Sequence, residues 1–497
     1  MFRTVLSSLV GVGLVTLLVA PAAAEKKDQL KTPRGQTIIG TGRTYVDTPR
    51  TAYSTPAATI SPYLYLNRCT GNCMINGGTT NDARTNTSTI PTTGVHVIEE
   101  YKNAQGLTGA AADAEWDAVV KCMQEVYSPF NVTVTDEKPT NVSYTMAVIA
   151  GNPTDIDLDN SILGIAPLAG DCTPQDNVIS FSFANHHANA QRVENICWTA
   201  AQETAHAFGL DHEYEFVSDR QSACNDPMTY RTDCGGQKFF RNKAASCGEN
   251  SVRPCRCAGS QNSHVKIKNV FGEGTSIVAP PTCQIITPSG GTITNQAAFG
   301  ITSGSQRGTE KVELFLNGYK WAEKPGAPYQ QFGQSNPSTY TITMPAMVPD
   351  GIIDIQVKCS DDIGGETMSQ TVNVTKGAPC ASADSCAKGQ VCESGKCLWE
   401  APVGELGDSC DFPQFCKSGA CTDTSDGAFC TQDCITGTAD SCPMDFECIA
   451  TSGQNGVCLS TSNGGGCCSA STGGQAMIHF GISGLVLGLV IRRRRKR

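Results

Sequence analysis

Positive charge is in short supply in this chain. Its 497 residues carry 37 Lys and Arg against 47 Asp and Glu, a net charge of −10, and no basic face is evident outside the last six residues. A nucleic-acid partner needs clustered Lys and Arg to neutralise its phosphates, so none is expected. No G-x-S-x-G elbow and no G-x-x-x-x-G-K-S/T loop occurs, which removes the serine-hydrolase and phosphate-cradle readings. Neither apolar run, Val5–Ala20 nor Met477–Ile491, reaches the roughly 20 residues of a relaxed membrane-spanning helix. Histidine is scarce as well, with seven residues in all.

Cysteine, in contrast, is plentiful at 26. Thiols at that density persist as disulfides only in an oxidising compartment. A free-cysteine nucleophile is not expected there. The ends agree. MFRTVLSSLVGVGLVTLLVAPAAAEKK has one early Arg, an apolar stretch and small residues before Glu25, the pattern of a secretory signal (1–24) cleaved after Ala24. The chain closes on GGGCCSASTGGQAMIHFGISGLVLGLVIRRRRKR, a Gly/Ser-rich spacer (459–476) followed by a transmembrane segment and an Arg cluster (477–497). This arrangement resembles the C-terminal sorting tail of myxobacterial surface proteins. The resemblance implies processing or lipid attachment at Cys467 or Cys468 and an extracellular protein anchored to the outer membrane by its tail.

A chain this long is expected to be multidomain. Residues 25–60 are polar and Pro/Thr-rich and read as a flexible lead or a short pro-segment. Between 61 and 275, SPYLYLNRC reads as a strand and AADAEWDAVVKCMQEVY as a helix, with Trp116, Val119, Val120, Met123 and Val126 at helical spacing. FNVTVT, SYTMAVIAG and NVISFSFAN follow as strands, so an α+β or α/β domain is predicted. Residues 280–376 hold short alternating strands with Asn317-Gly318 as a hairpin turn, and Cys283 and Cys359 are placed to staple two sheets. An all-β immunoglobulin-like sandwich is expected there, similar in pattern to bacterial Ig-like surface modules. Residues 380–458 carry twelve cysteines without a histidine or a C-x-x-C. They read as two or more small disulfide-rich modules rather than zinc sites. Cys69 and Cys73 suit a local bridge.

Chemistry concentrates in TAAQETAHAFGLDH, Thr199–His212. On a helix, Gln202 and His206 lie one turn apart on one face with Glu203 beside it. Gly209 lets the backbone leave the helix at positive φ and return His212. NDPMTY then supplies Met228 and Tyr230. Together QETAHAFGLDH and the Met-x-Tyr resemble the metzincin zinc-peptidase signature H-E-x-x-H-x-x-G-x-x-H and its methionine turn, with Gln202 where the first histidine belongs. The resemblance implies zinc held by His206, His212 and, at the departing position, Gln202. It makes Glu203 the general base, Tyr230 the oxyanion stabiliser and Met228 the floor beneath the ligands. The implied substrate is a polypeptide laid along an edge strand such as NVISFSFAN.

A neutral amide is a poorer zinc ligand than imidazole. Three readings stay open. Gln202 ligates weakly with help from Tyr230; or His186 or His187 takes the place; or the site is vestigial, with His206 and His212 as hydrogen-bonded structural residues. Asp211 reads as an acceptor that orients a histidine, and His96 and His264 as structural. DIDLDN, Asp155–Asn160, reads as a solvated turn rather than a calcium loop. The expectation is a secreted, surface-anchored zinc endopeptidase. The alternative is an inactive metzincin-fold protein that binds a surface ligand.

Overall fold

The structure, a computed structural model, describes residues 30–48, 60–214, 225–231, 237–326, 338–436, 441–452 and 455–460. The expected signal sequence, the spacer, Cys467, Cys468 and the transmembrane tail lie outside these residues. Among the described residues no helix is long and apolar enough to cross a membrane. Two compact units divide the chain, Met1–Thr232 with Lys238–Ile277, and Asp233–Gln237 with Val278–Arg497.

The first unit is built on a seven-stranded sheet. Along the chain come β1 (Ile38–Thr41), β2 (Arg43–Thr48) and β3 (Tyr63–Asn67), then a small separate sheet of β4 (Cys73–Gly77), β5 (Thr87–Ser88) and β6 (Gly94–Ile98). Helix α1 (Asp113–Tyr127) precedes β7 (Thr133–Thr135), β8 (Thr145–Ile149), β9 (Gly164–Ala169) and β10 (Ile179–Ser182), and α2 (Arg192–Ala207) and α3 (Ser263–Phe271) complete the unit. The strands lie in the order β1-β2-β9-β10-β8-β3-β7. β3 runs parallel to β7 and β8, β8 runs parallel to β10, and β9 runs antiparallel to β10.

Side-chain pattern explains this layout. Every residue of β8, β9 and β10 is buried, as expected of central strands covered on both faces. β3 alternates, with Leu64 and Leu66 inward. α1 turns Trp116, Val119, Met123 and Val126 into the core and places Asp113 and Glu115 in its first turn, where the helix dipole favours acids. Val120 is only half-buried. α1 and α2 pack on each other, and the disulfide Cys122–Cys197 joins them.

Two expectations need correction. Residues 38–48, inside the stretch read as a flexible lead, form β1 and β2, with Tyr45 and Val46 buried. The β-branched and aromatic run IIGTGRTYV makes a strand pair despite its Pro/Thr-rich flanks. NVISFSFAN does not provide an edge: β10 lies between β8 and β9, and its apolar residues are buried without alternation. The strand beyond it, GIAPLA of β9, escapes pattern reading because Gly164 and Pro167 look like breakers.

The second unit begins with a β-sandwich of the immunoglobulin/fibronectin III-like kind. One sheet has the strands Thr282–Thr287, Ala298–Gly304 and Ser338–Thr343. The other has Gly291–Ile293, Val372–Lys376, Gly351–Ser360, Lys311–Leu316 and Tyr319–Pro325 in spatial order, with Glu366–Met368 paired to the Gly351–Ser360 strand. Phe299, Ile301 and Ile342 from one sheet meet Leu314, Ile355 and Val357 from the other. Cys283–Cys359 links the two sheets.

Three cysteine modules follow, each with two disulfides joining its first cysteine to its third and its second to its fourth. The pairs are Cys380–Cys392 with Cys386–Cys397, Cys410–Cys421 with Cys416–Cys430, and Cys434–Cys448 with Cys442–Cys458.

Cys122–Cys197 closes a loop across a sequence separation of 75, so its removal should release much denatured-state entropy. Cys122→Ala with Cys197→Ala is expected to lower the unfolding free energy of the first unit by about 4 kcal/mol. Urea unfolding followed by Trp116 and Trp198 fluorescence measures it.

Candidate metal centre

α2 carries the site, and its composition explains how. In RVENICWTAAQETAHA small residues alternate with the chemical ones, so every residue from Ile196 to Ala207 is buried while neighbouring elements approach closely. The helix stops at Gly209, whose φ of +90° suits glycine, and a Cβ there would lie 2.2 Å from the Cys172 carbonyl oxygen. The chain therefore turns sharply and brings His212 back against the helix.

His206 and His212 meet with ring centroids 4.6 Å apart. His206 Nδ1 lies 2.8 Å from Leu210 O, which only accepts, so Nδ1 carries the hydrogen. His212 Nδ1 lies 3.0 Å from Glu249 Oε1. Burial pushes the Glu249 carboxyl up, but hydrogen bonds from His212 and Arg253 overcome that push and hold it at about 2. Glu249 is therefore ionised and accepts, and His212 Nδ1 also donates. The two remaining nitrogens, His206 Nε2 and His212 Nε2, then face each other as acceptors 3.0 Å apart. Burial lowers both imidazoles below their usual value, helped at His206 by the neighbouring His212. Although Glu249 draws His212 upward, burial dominates, and the contact is a hydrogen bond from a neutral ring.

Of the other predicted residues, Tyr230 touches this pair, while Gln202, Glu203 and Met228 make contacts of their own. Gln202 Nε2 donates to Met228 O at 3.3 Å, which leaves Oε1 as the free amide atom, buried and without a hydrogen-bond partner among the described residues. Met228 is fully buried, and its carbonyl also accepts from Glu213 N at 2.9 Å. Tyr230 packs on His212 with centroids 4.8 Å apart, and its phenol oxygen is 3.5 Å from His212 Nε2. Glu203 Oε1 accepts from Thr44 N at 3.2 Å, and Oε2 has no partner among the described residues. Burial raises the Glu203 carboxyl well above the usual range, against the charge of Arg43.

The remaining histidines have other surroundings. His186 Nε2 contacts Asn160 O at 2.6 Å, and the carbonyl of buried His187 accepts from Arg192. His96 contacts Thr92, and His264 packs on Phe130. Asp155, in the acidic loop, caps a short turn by accepting from Asn152 N and Glu99 N.

Sequence reading missed four participants. Glu249 and Arg253 lie in a loop closed by Cys247–Cys255. Arg253 binds both Asp211 and Glu249, so it fixes the acceptors that orient His212. Asp211 Oδ1 accepts from His212 N at 2.8 Å. Burial would raise the Asp211 carboxyl, but Arg253 holds it well below the usual range. Tyr45 and Arg43 come from β2: the Tyr45 ring lies 4.8 Å from His206 and 5.0 Å from His212, and Arg43 O accepts from Tyr230 Oη at 2.7 Å. Nothing in the motif spacing pointed to them.

The chemistry of this donor set suits zinc, which takes imidazole nitrogen and oxygen ligands in fourfold arrangement. Two imidazole lone pairs converge, and the orphaned Gln202 Oε1 is an oxygen donor with no other use among the described residues.

No family model matches the chain, and no curated protein matches it. Among solved structures, the fibronectin(III)-like modules of Clostridium thermocellum CbhA align at 19% identity over 19% of this chain and 94% of that one, with a TM-score of 0.15. A calcium-binding mutant of Bacteroides uniformis beta-glucuronidase 2 aligns at 13% identity over 69% of this chain and 40% of that one, also with a TM-score of 0.15. Neither likeness bears on the chemistry of the site.

His187 offers a pH test of the unit around the site. Burial, then the charge of Arg192, lowers it to about 3. Its folded value lies below its unfolded one, so the unfolded chain takes the proton first as pH falls. Its contribution is complete above about pH 6.5 and is lost at about 1.4 kcal/mol per unit down to about pH 3. Urea unfolding at stepped pH should show this slope, and His187→Gln should flatten it.

Proposed function

We propose that the first unit is a metzincin-like, zinc-dependent endopeptidase domain of a secreted protein anchored to the cell surface. The observation that carries this reading is the pair of buried, neutral imidazoles whose Nε2 lone pairs face each other at 3.0 Å. Two acceptors at that distance repel unless a cation lies between them. Burial disfavours a proton there. His206, His212 and Gln202 Oε1 would hold the ion, with the Tyr230 phenol beside it. Bound there, zinc supplies Lewis acidity, which polarises a carbonyl and acidifies water.

The chain's own groups do the rest. Glu203, with its raised proton affinity, accepts the proton of the attacking water and returns it to the leaving amine. Tyr230 donates to the reacting carbonyl, as it donates to Arg43 O. Met228 O holds the Gln202 amide nitrogen, which leaves Oε1 for the ion. Eleven disulfides among the described residues support an extracellular setting. The C-terminal tail supports attachment to a membrane.

One observation favours the second reading, an inactive fold that binds a surface ligand: Glu203, His206 and His212 are each 0% exposed. Metal analysis and hydrolysis of an unfolded protein separate the two. The purified chain is expected to take up one zinc per molecule, and Gln202→His to bind it more tightly. Glu203→Ala should keep the zinc and lose roughly 10²–10⁴-fold in turnover. A chain that binds no zinc, or a Glu203→Ala variant as active as its parent, would refute the peptidase reading.

A further inference from the structure

α3 turns two different faces to its surroundings. In NSHVKIKNVF, Ser263, His264, Ile267 and Phe271 are buried. Asn262, Val265, Lys266 and Asn269 recur at helical spacing and share another face. That face lines a cavity of about 410 Å³, whose other lining residues include Asp211, Arg256 and the disulfide-bonded Cys172 and Cys255. Its volume is that of a small-ligand site.

Charge in this cavity is unevenly matched. The Asp211 carboxylate already accepts from Arg253, from Arg256 N at 2.9 Å, from His212 N at 2.8 Å and from Tyr45 Oη at 3.1 Å. Arg256 pairs with Asp47 at 2.6 Å. Lys266 has no such partner. Its ammonium donates to the carbonyl oxygen of Gly209, and among the described residues no carboxylate lies within ion-pair distance of it. Burial lowers its proton affinity, and the more remote charge of Asp211 opposes that only in part. An ammonium has three donors, so this half-buried cation has two to spare and lacks a counter-ion. The cavity also abuts the turn that returns His212. Lys266 holds the carbonyl of Gly209, where the chain leaves α2. Gln261 clasps the next part of the turn, accepting from Asp211 N at 2.8 Å and donating to Asp211 O at 2.9 Å.

We propose that this cavity binds a small oxyanion at Lys266 and Arg256, and that its occupancy stiffens the turn carrying His212. A carboxylate, sulfate or phosphate supplies the acceptors that the spare donors of Lys266 call for, in charge-assisted hydrogen bonds. Held by the anion, the ammonium stays fixed on Gly209 O. The site rests on the cavity alone, and its effect on the metal rests on the zinc reading. Such coupling runs both ways: an anion that tightens zinc binding is bound more tightly by the zinc-loaded chain, by the same factor.

The test uses the full chain, first without metal. Calorimetric titration with sodium sulfate, at an ionic strength held constant with sodium chloride, should show a single saturable site. Lys266→Met keeps the side chain's length and removes its charge. Asn269→Asp sets a carboxylate one turn from Lys266, where it takes the anion's place. Each should weaken sulfate binding roughly tenfold or more. Hydrogen exchange of the Leu210–His212 amides should slow with sulfate in the parent, and without sulfate in Asn269→Asp. Zinc affinity, read by competition with a fluorescent chelator, should rise roughly fivefold or more when sulfate is added to the parent. Acetate bound more tightly than phosphate by the metal-free chain would uphold the site with a carboxylate as its ligand, and the reverse order would uphold it with a phosphate.

No saturable binding of any of the three anions by the metal-free parent would overturn the site. So would sulfate binding that the variants keep; if Lys266→Met does not fold, Asn269→Asp decides alone. Sulfate binding that leaves both amide exchange and zinc affinity unchanged would overturn the coupling to His212. Sulfate binding that slows exchange in a chain that takes up no zinc would uphold the site and its grip on the turn, and sink the zinc reading.

Discussion

Two nitrogen lone pairs held 3.0 Å apart in a dry interior are the constraint around which the first unit is arranged. Left alone they repel, and neither ring readily takes a proton there. The fold therefore holds both rings from behind. Leu210 O fixes His206, ionised Glu249 fixes His212, and Arg253 pairs with both Glu249 and Asp211. Each ring is thus locked in the tautomer that leaves Nε2 bare.

The amide at position 202 fits this arrangement differently from an imidazole. A histidine there would present one nitrogen and need a separate acceptor behind it. Gln202 uses its own two ends, giving its nitrogen to Met228 O and keeping its oxygen unpartnered among the described residues. Met228, through its backbone carbonyl, takes over the part that Leu210 and Glu249 play for the histidines. In the proposed zinc site this oxygen would be the weakest of the three donors, because the ion is borderline-soft.

Much of the site was legible because it is local. Gln202, Glu203, His206 and Gly209 sit on one helix and its end, where 3.6-residue periodicity and a glycine's positive φ translate directly into geometry. The sandwich and the cysteine modules were legible for a similar reason, since alternation and cysteine density are short-range signals. What escaped depends on contacts far apart in sequence. Thr44 reaches Glu203 across 159 residues and Arg253 reaches Asp211 across 42, and no periodicity encodes either. β9 escaped because Gly164 and Pro167 interrupt its apolar run, and the misplaced edge at NVISFSFAN followed from that. Disulfide pairing was not readable either. The shared pattern of the three modules emerges only when their hairpins set cysteines opposite one another, as Cys392 and Cys397 are.

The loop that carries Glu249 and Arg253 spans only eight residues of sequence separation between Cys247 and Cys255, and Cys257 is bonded to Cys172, beside the turn at Gly209. Both anchors of the apparatus behind His212 are therefore covalent sulfur bridges rather than hydrophobic core. A newly made chain with these four thiols still reduced lacks the clamp on Glu249, and His212 is free to choose its tautomer. In the proposed zinc centre, metal affinity would then depend on these two bridges, which form only in an oxidising setting.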